Sequence, residues 1–495
     1  MNDLWNGVFW DNLEVVENET TIRIGPKDSY NYKLTRAWFQ RHTTKFMSGF
    51  WKKSDLWLNE GLDLRKSQHL RKTVVDARYN GNKLKIKVGR PSCRSRNVPR
   101  YVSNRIGLQS SYLNDFVITD FPKYPGINGE LIFKAWHVLL DLADHMMRVA
   151  RREPSFNHSS VQDWALEIKS EKIIRIVFES LSIDETISAR VIEFLTYNPT
   201  PPQPKGQKGL WGAPLFKVPG RSTIALAWAV LKATNFLRTV EIWLEKGGVG
   251  KTVAEKGRGD EYENILRAKY ITALQGNRTF YNSKCLHYGI KKDKNFPEQI
   301  DLLIKVGHTI IVGEVKCFLF PTDYHERFNF YQNLRAAAEQ AVRKSEAVEN
   351  HPNIITNSFN IPVQDLKKFR ITPLVVVNQG FGSTLSIDGC QIIDADFLEM
   401  YFRSPFMEIG TINGQMKGRR TNRIIRLYKN EKDASDNILS NLKRPYVLTR
   451  YIDRFTWQET AGPPIGGKSI IIKKVELGEI GHLEGEYIQS LSRAL

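Results

Sequence analysis

The chain has 495 residues, 41% of them hydrophobic and 25% charged, with a formal net charge of +19 and a pI near 9.6. That is about three times a usual domain length, so two to four folded units are expected, and the balance is that of a globular protein. The positive excess favours an anionic partner such as nucleic acid or an anionic membrane surface. No run approaches the roughly eighteen uncharged apolar residues of a membrane span, and the start Met-Asn-Asp-Leu-Trp-Asn-Gly is not a secretory leader. A soluble, cytoplasmic protein is the expectation. The four cysteines, Cys93, Cys285, Cys317 and Cys390, lie far apart and offer neither zinc-ligand spacing nor a disulfide framework. Redox chemistry is not expected, and Cys317 reads as a buried strand residue.

Residues 1–125 read as a basic α+β region, with strand-like pieces at Thr21–Ile24 and Lys83–Val88. Between Asn31 and Ser110 there are 19 Lys or Arg against 4 Asp or Glu, so this window carries most of the net charge. Trp38, Phe39, Phe46, Phe50, Trp51 and Trp57 are interleaved with it. Basic and aromatic side chains together suit a surface that holds phosphates and stacks bases, with Lys52, Lys53, Arg71, Lys72, Arg94 and Arg96 as candidates. The same aromatics equally describe a local core beneath a solvated basic face.

Residues 126–250 read as mainly helical. Leu131, Ala135, Val138, Leu139, Leu142 and Met146 recur at helical spacing within 130–152, and a second helix is expected over 183–195. The stretch 198–220 holds six prolines and four glycines, which predicts a linker and the clearest domain boundary. A long helix over 221–246, stopped by Gly247-Gly248, follows.

From residue 259 the pattern becomes compact α/β: a helix over 260–274, a strand over 279–286, a hairpin, a helix over 325–348, a strand over 370–377, a short strand over 391–394 and a helix over 396–401. This order predicts a mixed sheet flanked by helices. In the hairpin, Ile-Asp-Leu-Leu-Ile-Lys-Val and Thr-Ile-Ile-Val-Gly-Glu-Val-Lys-Cys flank Gly307-His308. If Val306 and Thr309 close the turn, Asp301 falls directly opposite Glu314, and Lys316 shares the face of Glu314. Two carboxylates facing each other beside apolar strands need compensation, which a divalent cation supplies. An ordinary cross-strand salt-bridge cluster is the alternative, disfavoured because Leu303, Ile310 and Val312 share that face. Gly313 suggests a bulge or a close ligand approach. His308 and His325 read as surface residues.

These residues resemble the PD-(D/E)xK nuclease superfamily, of restriction-endonuclease-like fold, over roughly residues 259–401. Asp301 matches the aspartate of the second core strand, Glu314-Val315-Lys316 the E-x-K of the third, Glu263 the acid of the preceding helix, and Gln340 the glutamine of the following one. The resemblance implies a multidomain α/β protein whose Asp301, Glu314 and Val315 carbonyl hold Mg²⁺, with Mn²⁺ as a possible substitute. Lys316 would act electrostatically, Glu263 would support a water or second cation, and Gln340 would position substrate. On the bare residues, Asp260 and Glu263 also fit a helix capping box, and Gln340 an ordinary surface glutamine. Lys344, one turn beyond Gln340, could reach a phosphate.

Residues 402–495 form a second basic region, in which Arg419 and Arg420 are further candidates for a phosphate backbone. The function expected is a metal-dependent endonuclease acting on DNA, with RNA possible, in restriction or host defence. The alternative is a catalytically inactive nucleic-acid-binding or assembly protein. A homodimer or a larger nucleic-acid-processing complex is compatible with either, and no Walker A motif supplies an ATPase.

Overall fold

The computed structural model describes residues 13–30, 32–38, 40–41, 70, 72–80, 83–91, 100–101, 104–105, 107–108, 111–149, 165–198, 209–233, 236–249, 258–318, 321, 324–411 and 421–477. The chain is of mixed α/β class and forms two compact units, Met1–Thr43 with Gly259–Leu495, and Thr44–Arg258. The boundary expected at residue 259 coincides with this division. The limits expected near 125 and 401 do not, because the ends of the chain belong with residues 259–401.

The first unit opens with β1 (Leu13–Glu17) and β2 (Thr21–Pro26), followed by helical turns across 32–38. The second unit then begins with a two-stranded ribbon, β3 (Thr73–Asn80) and β4 (Lys83–Gly89). Helix α1 (Gly129–Val149) places the expected periodic positions inside, with Ala135, Val138, Leu139 and Leu142 all buried. Strand β5 (Ala165–Lys169), α2 (Ser170–Leu181), α3 (Glu185–Phe194), β6 (Thr196–Tyr197), β7 (Leu215–Lys217) and β8 (Thr223–Ala227) follow. The four strands form one sheet in the order β5-β8-β7-β6.

That sheet corrects two expectations. The Pro/Gly-rich stretch 198–220 is not a boundary, since β7 lies inside the sheet and pairs with β8 beyond it. The helix expected over 221–246 is instead β8, α4 (Trp228–Ala233) and α5 (Phe236–Gly247). Ile224, Ala225 and Leu226 are buried between two strands, and a short apolar run of that kind has no period that separates strand from helix.

The first unit resumes with α6 (Arg258–Gly276), β9 (Lys284–Cys285), β10 (Leu302–Val306), β11 (Thr309–Lys316), α7 (Tyr324–Asn350), β12 (Arg370–Val377), β13 (Ser386–Ile387), β14 (Cys390–Asp394) and α8 (Ala395–Arg403). A six-stranded mixed sheet runs β9-β10-β11-β12-β14-β13. Strand β11 is antiparallel to β10 and parallel to β12. It is apolar along most of its length because helices cover the sheet, as for strands buried on both faces. Beyond it lie β15 (Phe406–Thr411), β16 (Thr421–Arg426), α9 (Glu431–Lys443), α10 (Tyr446–Ile452), β17 (Phe455–Ile465) and β18 (Lys468–Leu477).

Two segments far apart in the sequence meet here. Strand β2 pairs in parallel with β18, giving the sheet β1-β2-β18-β17. Leu34, Ala37 and Trp38 enter the same core as Phe330, Leu334 and Ala341 of α7 and Leu448 and Tyr451 of α10. Trp38 donates its indole N–H to the Ser383 carbonyl at 2.8 Å and packs on Phe381. It is therefore a core residue of the first unit, not part of a front nucleic-acid surface. Phe39, Phe46, Phe50, Trp51 and Trp57 lie outside the described residues. Among the described residues, no helix is long and apolar enough to cross a membrane. Trp38→Ala removes a fully packed indole and its hydrogen bond, so urea unfolding should show a loss of about 3–5 kcal/mol in the first unit; unchanged stability would place Trp38 outside its core.

Candidate active site

The hairpin β10–β11 turns at Gly307, whose φ of 53° is left-handed, with Val306 paired to Thr309. Its ladder runs to Leu302↔Gly313, so Asp301 sits one step beyond, level with Glu314. The Asp301 carboxylate turns back onto β11, where Oδ2 accepts the Val315 N–H at 3.1 Å. Within a strand, one residue's N–H and C=O point the same lateral way, which aims the Val315 carbonyl toward the Asp301 side. Gly313 does not mark a bulge, and the close neighbour that calls for a glycine here is Leu302. The ladder is regular there, and a Cβ at Gly313 would lie 2.9 Å from the Leu302 Cβ.

Helix α7 crosses above Glu314. Its buried positions include Leu334, Ala337, Ala338, Ala341, Lys344 and Val348. Lysine at position 344 thus occupies a slot where the helical pattern calls for an apolar residue. Its Nζ lies 3.2 Å from Asp301 Oδ1 and also bonds Glu314. One ammonium therefore touches both carboxylates. Lys316 pairs with Glu314 and donates to Gln340 Oε1 at 3.0 Å. The side chains of Asp301, Glu314 and Lys344 are 6%, 4% and 8% exposed and that of Lys316 is 28% exposed, so the cluster opens to solvent at Lys316.

Helix α6 contributes from the other side. Arg267 bonds the Asp301 carbonyl and lies 3.5 Å from Glu263 Oε2. Burial, followed by the charge of Asp301, pushes the Glu263 carboxyl up to about 7. Burial and the facing Glu314 raise Asp301 to about 6. For Glu314, burial opposes ionisation, but Lys344 and Lys316 outweigh it and hold the group below the usual carboxylate range. Burial likewise disfavours the Lys344 ammonium, yet the two carboxylates raise its pKa.

The structure thus brings Asp301, Glu314, Val315, Lys316 and Gln340 together, with Glu263 one arginine away. The Asp260–Glu263 capping box is absent because α6 starts at Arg258. Lys344 is not a surface cation awaiting a phosphate; it is buried between the acids. Cys317 is half-buried just past the end of β11. Of the other candidates, Lys72 is exposed in the second unit. Lys52, Lys53, Arg71, Arg94, Arg96, Arg419 and Arg420 lie outside the described residues. Sequence reasoning missed Arg267 and the bridging role of Lys344. The signals were there: an arginine four residues after Glu263, and a lysine inside an alanine-rich stripe.

Among the described residues, no group of three or more His, Cys, Asp and Glu side chains is placed to share a metal ion. The donor set is two carboxylates and a backbone carbonyl, all oxygen. That chemistry fits Mg²⁺ or Mn²⁺, since Mg²⁺ commonly takes one or two carboxylates and completes its shell with water and substrate oxygens. Compared with protein-family models, curated proteins and solved structures, the chain has no match.

Two outcomes follow from the electrostatics. Lys344→Met leaves two buried carboxylates without their shared counter-ion, and urea unfolding in a chelator should show a loss of about 3–5 kcal/mol; a loss below about 1 kcal/mol would mean the bridge is not formed. For Glu263, the raised pKa means its stabilising contribution is full below the unfolded value of 4.5 and is lost as pH rises through about 7. Glu263→Gln should therefore exceed the wild type by about 1–3 kcal/mol at pH 8 and match it near pH 4. A variant equally stable at both would show that Glu263 titrates normally.

Proposed function

We propose that the first unit is a metal-dependent nuclease of restriction-endonuclease-like fold, hydrolysing phosphodiester bonds in DNA. The observation that carries this reading is the convergence of Asp301 and Glu314 on a single point, the Lys344 ammonium, with Lys316 at the solvent side. The resemblance to PD-(D/E)xK nucleases in Asp301, Glu314-Val315-Lys316, Gln340 and Glu263 supports it, resting in part on the same residues.

Bound between Asp301, Glu314 and the Val315 carbonyl, Mg²⁺ would polarise a phosphate oxygen and stabilise the charge that develops there. The chain's own residues do the rest. Asp301 is fixed by the Val315 N–H, so one of its oxygens stays turned into the site. Lys316, nearest to solvent, faces an incoming phosphate and stabilises its transition-state charge. In this role the lysine remains paired with Glu314. Gln340 accepts from Lys316 and holds that ammonium in place. Arg267 anchors the Asp301 backbone and offsets part of the Glu263 charge. A role in restriction or host defence goes with the resemblance.

A second reading has one observation of its own. Lys344 already contacts both acids, and Lys316 pairs with Glu314, so the two ammonium groups together balance the pair as they would in a nucleic-acid-binding or assembly protein that needs no cation. Purified protein incubated with supercoiled, linear and single-stranded DNA and with RNA, in Mg²⁺, Mn²⁺ or EDTA, separates the two. The nuclease reading expects divalent-dependent cleavage that Asp301→Ala and Lys316→Ala each lower by about 100-fold or more. Equal activity in the variants would remove the assignment from this site, and binding without cleavage on every substrate would favour the second reading.

A further inference from the structure

The second unit carries a cleft that the site above does not use. The ribbon β3–β4 packs its apolar side inward, with Val74 and Ala77 buried. The Lys172 ammonium of α2 bonds the Leu84 carbonyl and ties that helix to the ribbon. The outer side shows Lys85 and Lys87, which stand opposite Arg78 and Asp76. At the ribbon's end Thr73 pairs with Gly89, so Lys72 and Arg90 come to stand across from each other. Both are exposed, and among the described residues neither has a carboxylate partner.

Like charges at facing positions repel unless an anion lies between them. The carbonyl end of α2 attracts a cation, but two exceed what that end satisfies. The remaining acid beside them, Glu179, is already held by Arg175 at 2.8 Å. Lys72, Val88, Gly89, Arg90, Phe178 and Glu179 line a cavity of about 640 Å³. Phe178 sits in its wall with 41% of its surface exposed. A part-exposed aromatic beside two cations that lack a carboxylate partner among the described residues matches the two chemistries of a nucleic-acid strand, a flat base and a charged backbone.

We propose that this cleft binds single-stranded DNA, with phosphates on Lys72 and Arg90 and one base stacked on Phe178. An unpaired strand is required, because a base within a duplex has both faces covered by its neighbours. The assignment rests on the nuclease reading only for its choice of DNA over RNA; the binding itself does not depend on cleavage.

The test measures fluorescence anisotropy of labelled oligonucleotides about 15 nucleotides long in EDTA, where divalent-dependent cleavage cannot occur. The full-length wild type should bind single-stranded DNA more tightly than duplex DNA or single-stranded RNA. Phe178→Ala should weaken single-strand binding about tenfold and leave duplex binding unchanged, whereas Phe178→Trp should retain it. The pair Lys72→Ala and Arg90→Ala should flatten the logarithmic salt dependence by about 1.4, and, being a surface change, it tests the site even if Phe178→Ala does not fold. Unchanged single-strand affinity in folded Phe178→Ala, an equal loss on duplex, tighter binding to RNA, or an unaltered salt slope would each overturn the proposal. A protein that binds through Phe178 but cuts nothing would keep this cleft and lose the nuclease reading. A divalent-dependent nuclease indifferent to Phe178 would do the reverse.

Discussion

Two carboxylates held side by side, away from water, require positive charge, and that requirement organises the centre of the first unit. Burial penalises each ionised group, and their mutual repulsion adds to it. The response is graded. Glu314, touched by two ammonium groups, stays ionised below the usual range, while Asp301, touched by one, is raised to about 6. Glu263, buried beside Arg267 and close to the charge of Asp301, rises further, to about 7. Three neighbouring acids thus span a range of proton affinities set by burial, by one another's charge and by the cations each meets.

The same constraint explains an irregularity of helix α7. Alanines at 337, 338 and 341 let the helix lie close over β11, and its stripe would continue with another apolar residue. Lysine stands there because the surface beneath it is anionic. Its methylene stem packs within the helix interface and its ammonium reaches the acids, which is how a long basic side chain tolerates burial. Deleting one partner of such a cluster costs more than the cluster itself contributes, since the remaining charges are left without compensation.

Much of this centre is legible in the sequence because it depends on local rules. The Gly307 turn fixes the register of β10 and β11, the register sets Asp301 level with Glu314, and strand alternation puts Lys316 beside them. Strand β12 reads correctly for the same reason: Arg370–Val377 is β-branched at Ile371, Thr372 and the run Val375-Val376-Val377. The parts that were not legible depend on distant pairing. Nothing local in Thr21–Pro26 says that it pairs with a strand more than four hundred residues later, and nothing around Trp38 says that Ser383 awaits its indole. The 198–220 stretch misleads for a related reason. Its prolines and glycines are real turn formers, yet Leu215–Lys217 between them is claimed by β8.

The proposed nuclease requires the acid pair to take up a divalent cation beside Lys344. Mn²⁺ binding at neutral pH, followed by electron paramagnetic resonance, tests it without any reference to substrate. One Mn²⁺ per chain should bind the wild type, bind Lys344→Met more tightly, and be lost in Asp301→Asn. A wild type that takes up no Mn²⁺, or binding that is indifferent to Asp301→Asn, would contradict it.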